Sequence, residues 1–136
     1  LIQEFIPHSY EWRVVRIGDS YFAHKKLLQG NKTSGSLEKL YENPPLELLD
    51  YIKELTDKHD LDSVAIDLFS HNKQYLINEI QCIFGQSDSF QMKVDGIIGR
   101  YICTNDTWKF EKGNFNNNEN YDLRLSHALS KHRAKK

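Results

Sequence analysis

The fold turns on Ala65-Ile66-Asp67-Leu68-Phe69, followed by Tyr75-Leu76-Ile77-Asn78-Glu79-Ile80-Gln81-Cys82-Ile83-Phe84-Gly85. Both runs read as β-strands, and they place Asp67, Glu79 and Gln81 among apolar neighbours. A buried strand normally carries Val or Ile at such positions, because an ionised carboxylate without a partner is costly to bury. A divalent cation is the simplest compensation, since a hard ion such as Mg²⁺ takes its ligands from carboxylate oxygens.

Strand parity sharpens this expectation. Side chains alternate faces, so Val64, Ile66 and Leu68 share one face and Ala65, Asp67 and Phe69 the other. In the second run Leu76, Asn78, Ile80 and Cys82 fall on one face, and Tyr75, Ile77, Glu79 and Gln81 on the opposite one. Pairing Ser70 with Gln74 across a loop of His71, Asn72 and Lys73 sets Asp67 opposite Ile77 and diagonal to Glu79. The three oxygen donors then converge on one face. A loop one residue shorter separates them, because a slip by one residue reverses the faces. The bland alternative is an edge hairpin with scattered polar residues.

The chain has 136 residues, which is one domain by length and enough for a real core. A net charge of −1 gives no electrostatic case for nucleic acid or an anionic membrane as a partner. Cys82 and Cys103 are too few for a disulfide scaffold, so a reducing, cytoplasmic location is expected. No apolar run approaches the roughly 20 residues that span a bilayer. The first residue is Leu1, within an apolar run, and the expectation is a fragment of a longer protein.

Leu1 to Ile6 reads as a short strand stopped by Pro7. Glu11 to Ile17 and Ser20 to Leu27 are strand-like, and Gly18-Asp19 between them signals a tight hairpin. Residues 29 to 36 form a polar, glycine-containing loop, after which Leu37 to Tyr41 reads as a brief helix capped by Ser36. Pro44-Pro45 opens a stronger helix over Leu46 to Lys58, with Leu46, Leu49, Ile52 and Leu55 at helical spacing. Past Gly85 the signal weakens to a turn or helix start over Phe90 to Gly96 and a strand over Ile97 to Cys103. An asparagine-rich loop and a terminal helix over Tyr121 to Ala134 follow. The fold class expected is α+β, a largely antiparallel sheet with helices packed on one face.

A two-residue turn at Gly18-Asp19 pairs Ile17 with Ser20 and Arg13 with His24. Arg13, His24 and Lys26 then share a face suited to an anion such as a triphosphate, with Arg16 and Lys25 on the other. The competing account is ordinary cross-strand pairing with Glu11 and charges turned to solvent. Asn31, Lys32, Ser34, Gly35 and Ser36 form a loop whose backbone N–H groups suit phosphate. The six histidines lack the spacing of a zinc site, and Cys82 on the apolar face reads as core.

Together these residues resemble the C-terminal half of an ATP-grasp domain, the fold of glutathione synthetase and of ligases that add glutamate to a ribosomal protein. Leu1-Ile2-Gln3-Glu4-Phe5-Ile6 looks like the hinge strand whose backbone holds adenine. Glu11-Trp12-Arg13 before Val14-Val15-Arg16-Ile17-Gly18-Asp19 is similar to the family's acidic-x-Arg, apolar run and Gly-acidic turn. Asn31 with Gly35 and Ser36 looks like its asparagine loop. Asp67 with Glu79-Ile80-Gln81-Cys82-Ile83-Phe84-Gly85 resembles its magnesium pair, an Asp and then Glu-x-Asn-x-x-Pro-Gly. Gln81 stands in place of the family's Asn and Phe84 in place of its Pro. The likeness covers residues 1–85, the C-terminal ATP-grasp subdomain, and residues 86–136 are an unassigned extension.

The resemblance implies an ATP-dependent carboxylate–amine or carboxylate–thiol ligase acting through an acyl phosphate. Its cofactors are ATP and Mg²⁺, and its substrate is a small-molecule or peptide carboxylate. Asp67, Glu79 and Gln81 would hold the metal; Arg13 and Lys26 would be catalytic; and Gln3, Glu4, Phe5, Ile6 and Asn31 would contact the nucleotide. The family's upstream half supplies a lysine and a glycine-rich hairpin, so the fragment alone is expected to be inactive. The alternative is a non-catalytic module with a degenerate grasp fold, binding nucleotide or a protein. An oligomer is compatible with either, and neither involves nucleic acid or a membrane.

Overall fold

The computed structural model describes residues 4–28, 38–84, 90–115 and 121–134. It is an α+β fold with one antiparallel sheet of eight strands. β1 (Tyr10–Ile17) and β2 (Ser20–Leu27) form the central hairpin, and the two-residue β3 (Lys39–Leu40) pairs with β2. Helix α1 (Leu46–Lys58) leads into β4 (Ser63–His71) and β5 (Gln74–Gln81), and β4 pairs with β1. A meander of β6 (Lys93–Val94), β7 (Ile97–Thr104) and β8 (Thr107–Lys112) extends the sheet beyond β2, and α2 (Tyr121–Ala134) ends the described chain. The main order is β5-β4-β1-β2-β7-β6.

The first hairpin follows its sequence signal. Gly18 takes the positive φ of the tight turn (+57°), and Ile17 pairs with Ser20 and Arg13 with His24. Helix α1 begins after Pro45, as the Pro-Pro pair predicts, and buries Leu48, Leu49 and Ile52 against the sheet. Leu46, expected on the buried stripe, is instead half exposed at the first helical position. Val14, Ile66 and Leu68 supply the facing core, and Arg16 reaches Thr56 and Asp57 of the helix. Trp108 Nε1 donates to Asp50 and Tyr101 Oη to Asn43, which ties the meander to the same side.

Cys82, expected in the core, is exposed, and three expectations about secondary structure also need correction. Glu4 to Ile6 is not strand, and ladder pairing starts only at Tyr10, after Pro7 has removed a donor. The brief helix over Leu37 to Tyr41 is replaced by β3, which hydrogen-bonds along β2; Ser36 and Leu37 lie outside the described residues. The β4–β5 loop is the two-residue turn Asn72-Lys73, with φ of +50° and +62°, not the expected three-residue loop. That shorter loop pairs Leu68 with Ile77, but a β-bulge between Asp67 and Leu68 restores the phase and sets Asp67 directly opposite Glu79.

Helix α2 has no fully buried residue; Leu123 packs half-buried against the core, and polar contacts hold the helix at the end of the sheet. Its His127 sits over Gly18, where a Cβ would lie 2.5 Å from the ring Nδ1. Gly96 also has positive φ (+78°) but nothing within 4 Å of its Cβ position. Gly18→Ala should therefore cost more stability than Gly96→Ala, whose penalty is the backbone strain alone, about 1 kcal/mol. Chemical denaturation of both variants measures the difference; equal losses would show that α2 does not press on the turn.

Candidate functional site

The sheet face opposite α1 carries a row of polar side chains across its central strands. Glu79 on β5 opposes Asp67 on β4, Asp67 opposes Arg13 on β1, and Arg13 opposes His24 on β2. Directly opposed residues in an antiparallel ladder share a face, so these four line up. A second row places Glu11 opposite Lys26 and Lys26 opposite Lys39. Farther along the same face Val15, Phe22 and Ala65 are buried, so the polar rows border an apolar half.

Asp67 is the hub. Arg13 donates to it through both fork positions, Nε to Oδ1 and Nη2 to Oδ2, each at 2.7 Å, and Lys26 Nζ donates to Oδ2 at 2.8 Å. The carboxylate is 2% exposed. Burial pushes its pKa up, but the bonds and charge of Arg13, with those of Lys26, outweigh this and hold it below the usual carboxylate value. Burial pulls the other way on Arg13, yet Asp67 keeps that guanidinium's pKa raised. The compensation for this buried acid is thus a pair of cations supplied by the chain.

Glu11 is the second buried acid, at 1% exposure. Asn78 Nδ2 donates to Oε1 at 2.8 Å, His8 Nε2 lies 3.2 Å from the same oxygen, and Lys26 Nζ is 3.4 Å from Oε2. His8 stacks on Phe69 with ring centroids 4.0 Å apart. Asn78, expected on the apolar face, reaches the polar one through the bulge. Sequence parity therefore missed it, although the Glu11–Lys26 pairing was foreseeable from the hairpin register.

The structure brings Arg13, Lys26, Asp67 and Glu79 together, and it places Gln81 opposite Ala65 on the same face. Of the nucleotide contacts expected, Gln3 and Asn31 lie outside the described residues. Glu4 and Phe5 are exposed, and the Ile6 carbonyl accepts from His8 Nδ1 at 2.7 Å. Among the described residues no group of three His, Cys, Asp or Glu side chains is placed to hold a metal. The expected set is a different one, two carboxylates and a carboxamide, and its donor chemistry suits a hard cation. Glu79 is exposed and has no side-chain hydrogen bond among the described residues. Asp67 has about four acceptor sites, of which Arg13 and Lys26 take three. Asp67 Oδ1 thus keeps a lone pair beyond its bond to Arg13.

His24 is fully buried beside this cluster, and its Nδ1–H donates to the Gln91 carbonyl at 3.0 Å. Burial, then the charge of Lys39, lowers its pKa to about 4, so the ring is neutral at pH 7. The Gln91 side-chain amide is buried too, and neither polar atom has a hydrogen-bond partner among the described residues. Such an orphan costs roughly 1–3 kcal/mol. Composition gave no sign of it.

The His24 shift has a pH signature. Its neutral form contributes fully above the unfolded value near 6.5, and the contribution falls as pH drops toward about 4, because only the unfolded chain takes up the proton. This loss should amount to about 3 kcal/mol between pH 7 and pH 4. Urea denaturation across that range should show a shallower fall for His24→Asn than for the wild type. Parallel profiles would mean that His24 takes up its proton at the same pH in the folded and the unfolded chain.

Comparison of the chain with protein-family models, characterised proteins and solved structures returns no match.

Proposed function

We propose that this chain is the ATP- and Mg²⁺-holding half of an ATP-grasp carboxylate–amine or carboxylate–thiol ligase. The observation that carries the reading is the alignment of Glu79, Asp67 and Arg13 across neighbouring strands, with Lys26 bonded to Asp67. Acids and cations in one row suit a metal–triphosphate, which presents both charges at once. In such a ligase a carboxylate oxygen attacks the γ-phosphorus and ADP leaves. An amine or thiol then attacks the acyl carbon and phosphate leaves.

Within that chemistry, Arg13 and Lys26 are the residues that neutralise charge developing on the transferring oxygens, where fixed cations contribute most. Asp67, Glu79 and Gln81 would hold Mg²⁺, which supplies charge neutralisation at the terminal phosphates. Nucleotide contact is assigned to Gln3, Glu4, Phe5, Ile6 and Asn31 by resemblance alone. No helix among the described residues is long and apolar enough to cross a membrane, and a cytoplasmic enzyme fits the free cysteines.

A second reading has an observation in its favour. Asp67 is already neutralised by Arg13 and Lys26, so the fold does not need a metal for this acid. A non-catalytic module that binds nucleotide or a protein would keep the same face. ADP formation separates the two. Glu79→Ala in the full-length protein should abolish Mg²⁺-dependent ADP formation while leaving the circular dichroism spectrum and melting temperature close to wild type. Undiminished turnover in that variant would remove the ligase assignment.

A further inference from the structure

The C-terminal helix brings one side chain to the place where the β4–β5 ladder stops. The last paired residues are Ala65 and Gln81, so Ser63 and Cys82 lie beyond the last rung. Arg124 spans that gap. Its Nε donates to Ser63 Oγ at 3.1 Å, its Nη2 donates to the Cys82 carbonyl at 2.9 Å, and its guanidinium lies 4.6 Å over the Phe84 ring. A planar fork can do all three at once; an ammonium cannot.

The helix that carries Arg124 is keyed to the sheet by a second set of contacts. His127 Nε2 lies 3.0 Å and Lys131 Nζ 2.5 Å from Asp62 Oδ2. The hydrogen bond from Lys131, with His127 beside it, draws the Asp62 pKa down to about 2 against the opposing effect of burial. Lys131 also reaches Asp60 at 3.5 Å. No α2 residue is fully buried, although Leu123 packs against the core; the polar contacts fix the helix's position.

We propose that Arg124 is a positioning residue for the proposed metal site, holding the exit of β5 so that Gln81 and Glu79 keep their register against Asp67. What the site binds rests on the ATP-grasp reading; that Arg124 orders the strand exit does not. The role also gives the extension beyond residue 85 a function in the same site.

Two readouts on the full-length protein test it. Amide hydrogen exchange over residues 81–84 should rise by about tenfold in Arg124→Ala and remain raised in Arg124→Lys, with α2 still helical. Unchanged exchange would overturn the inference whatever the site binds. In the presence of ADP, Mn²⁺ affinity measured by electron paramagnetic resonance should fall about tenfold in Arg124→Ala, the scale of lost outer-shell support. It should change little in Lys131→Met, which loosens the far end of the helix. Equal losses in both variants would assign positioning to the helix as a whole and overturn the role of Arg124. Wild-type affinity unaltered by Glu79→Ala would sink the ATP-grasp reading, and the exchange result would still decide the mechanical claim.

Discussion

The bidentate pair between Arg13 and Asp67 is the constraint around which the polar face is organised. It joins residues directly opposed on β1 and β4, and it is almost fully withdrawn from water on the carboxylate side. Removing one partner of such a pair typically costs about 3–5 kcal/mol, whereas an apolar pair of the same volume stabilises at least as well. Stability alone therefore gives a poor reason for these residue types. Here the ion pair sits between a second acid, Glu79, and a second cation, Lys26, where charge on one face is most useful to a charged ligand.

Glu11 buttresses this arrangement from the next row. It takes bonds from Asn78 and Lys26, so Lys26 is held between two acids. His8 links the segment before β1 to both Glu11 and Phe69, and its Nδ1 donates to the Ile6 carbonyl. The meander covers the other flank: the segment before β6 accepts from His24 through Gln91, whose side-chain amide is buried with no hydrogen-bond partner among the described residues. The C-terminal helix closes the remaining end through Arg124.

The first hairpin and α1 were legible because their signals are local. Gly18-Asp19 fixes a register by turn geometry, and Pro44-Pro45 fixes a helix start. The β4–β5 hairpin shows where local reading stops. Its turn is one residue shorter than expected, and only the bulge at Asp67/Leu68 returns Glu79 to Asp67's face, as the sequence argument required. No residue type in Ile77-Asn78-Glu79 announces a bulge. The expected helix after Ser36 failed for a related reason: Lys39 and Leu40 gain more from the open edge of β2 than from an isolated turn. β8 has a weak local signal: Trp108 and Phe110 alternate with polar residues, but the turn before it is Asn105-Asp106, with both residues at positive φ and no glycine to mark it. A divalent ion was the expected compensation for buried Asp67, but the nearest charges come from Arg13 and Lys26, which the hairpin register had already placed on that face.

We propose the Asp67–Glu79 strand pair as the place where a metal–nucleotide binds. Adding Mn²⁺ with ADP to isotope-labelled protein, and mapping which resonances broaden, tests it most directly. Broadening is expected to be strongest at Asp67, Glu79 and Gln81, to extend to Arg13 and Lys26, and to be absent from the Asp60–Asp62 corner beneath α2. Broadening centred on Asp60 and Asp62, or none at all, would contradict it.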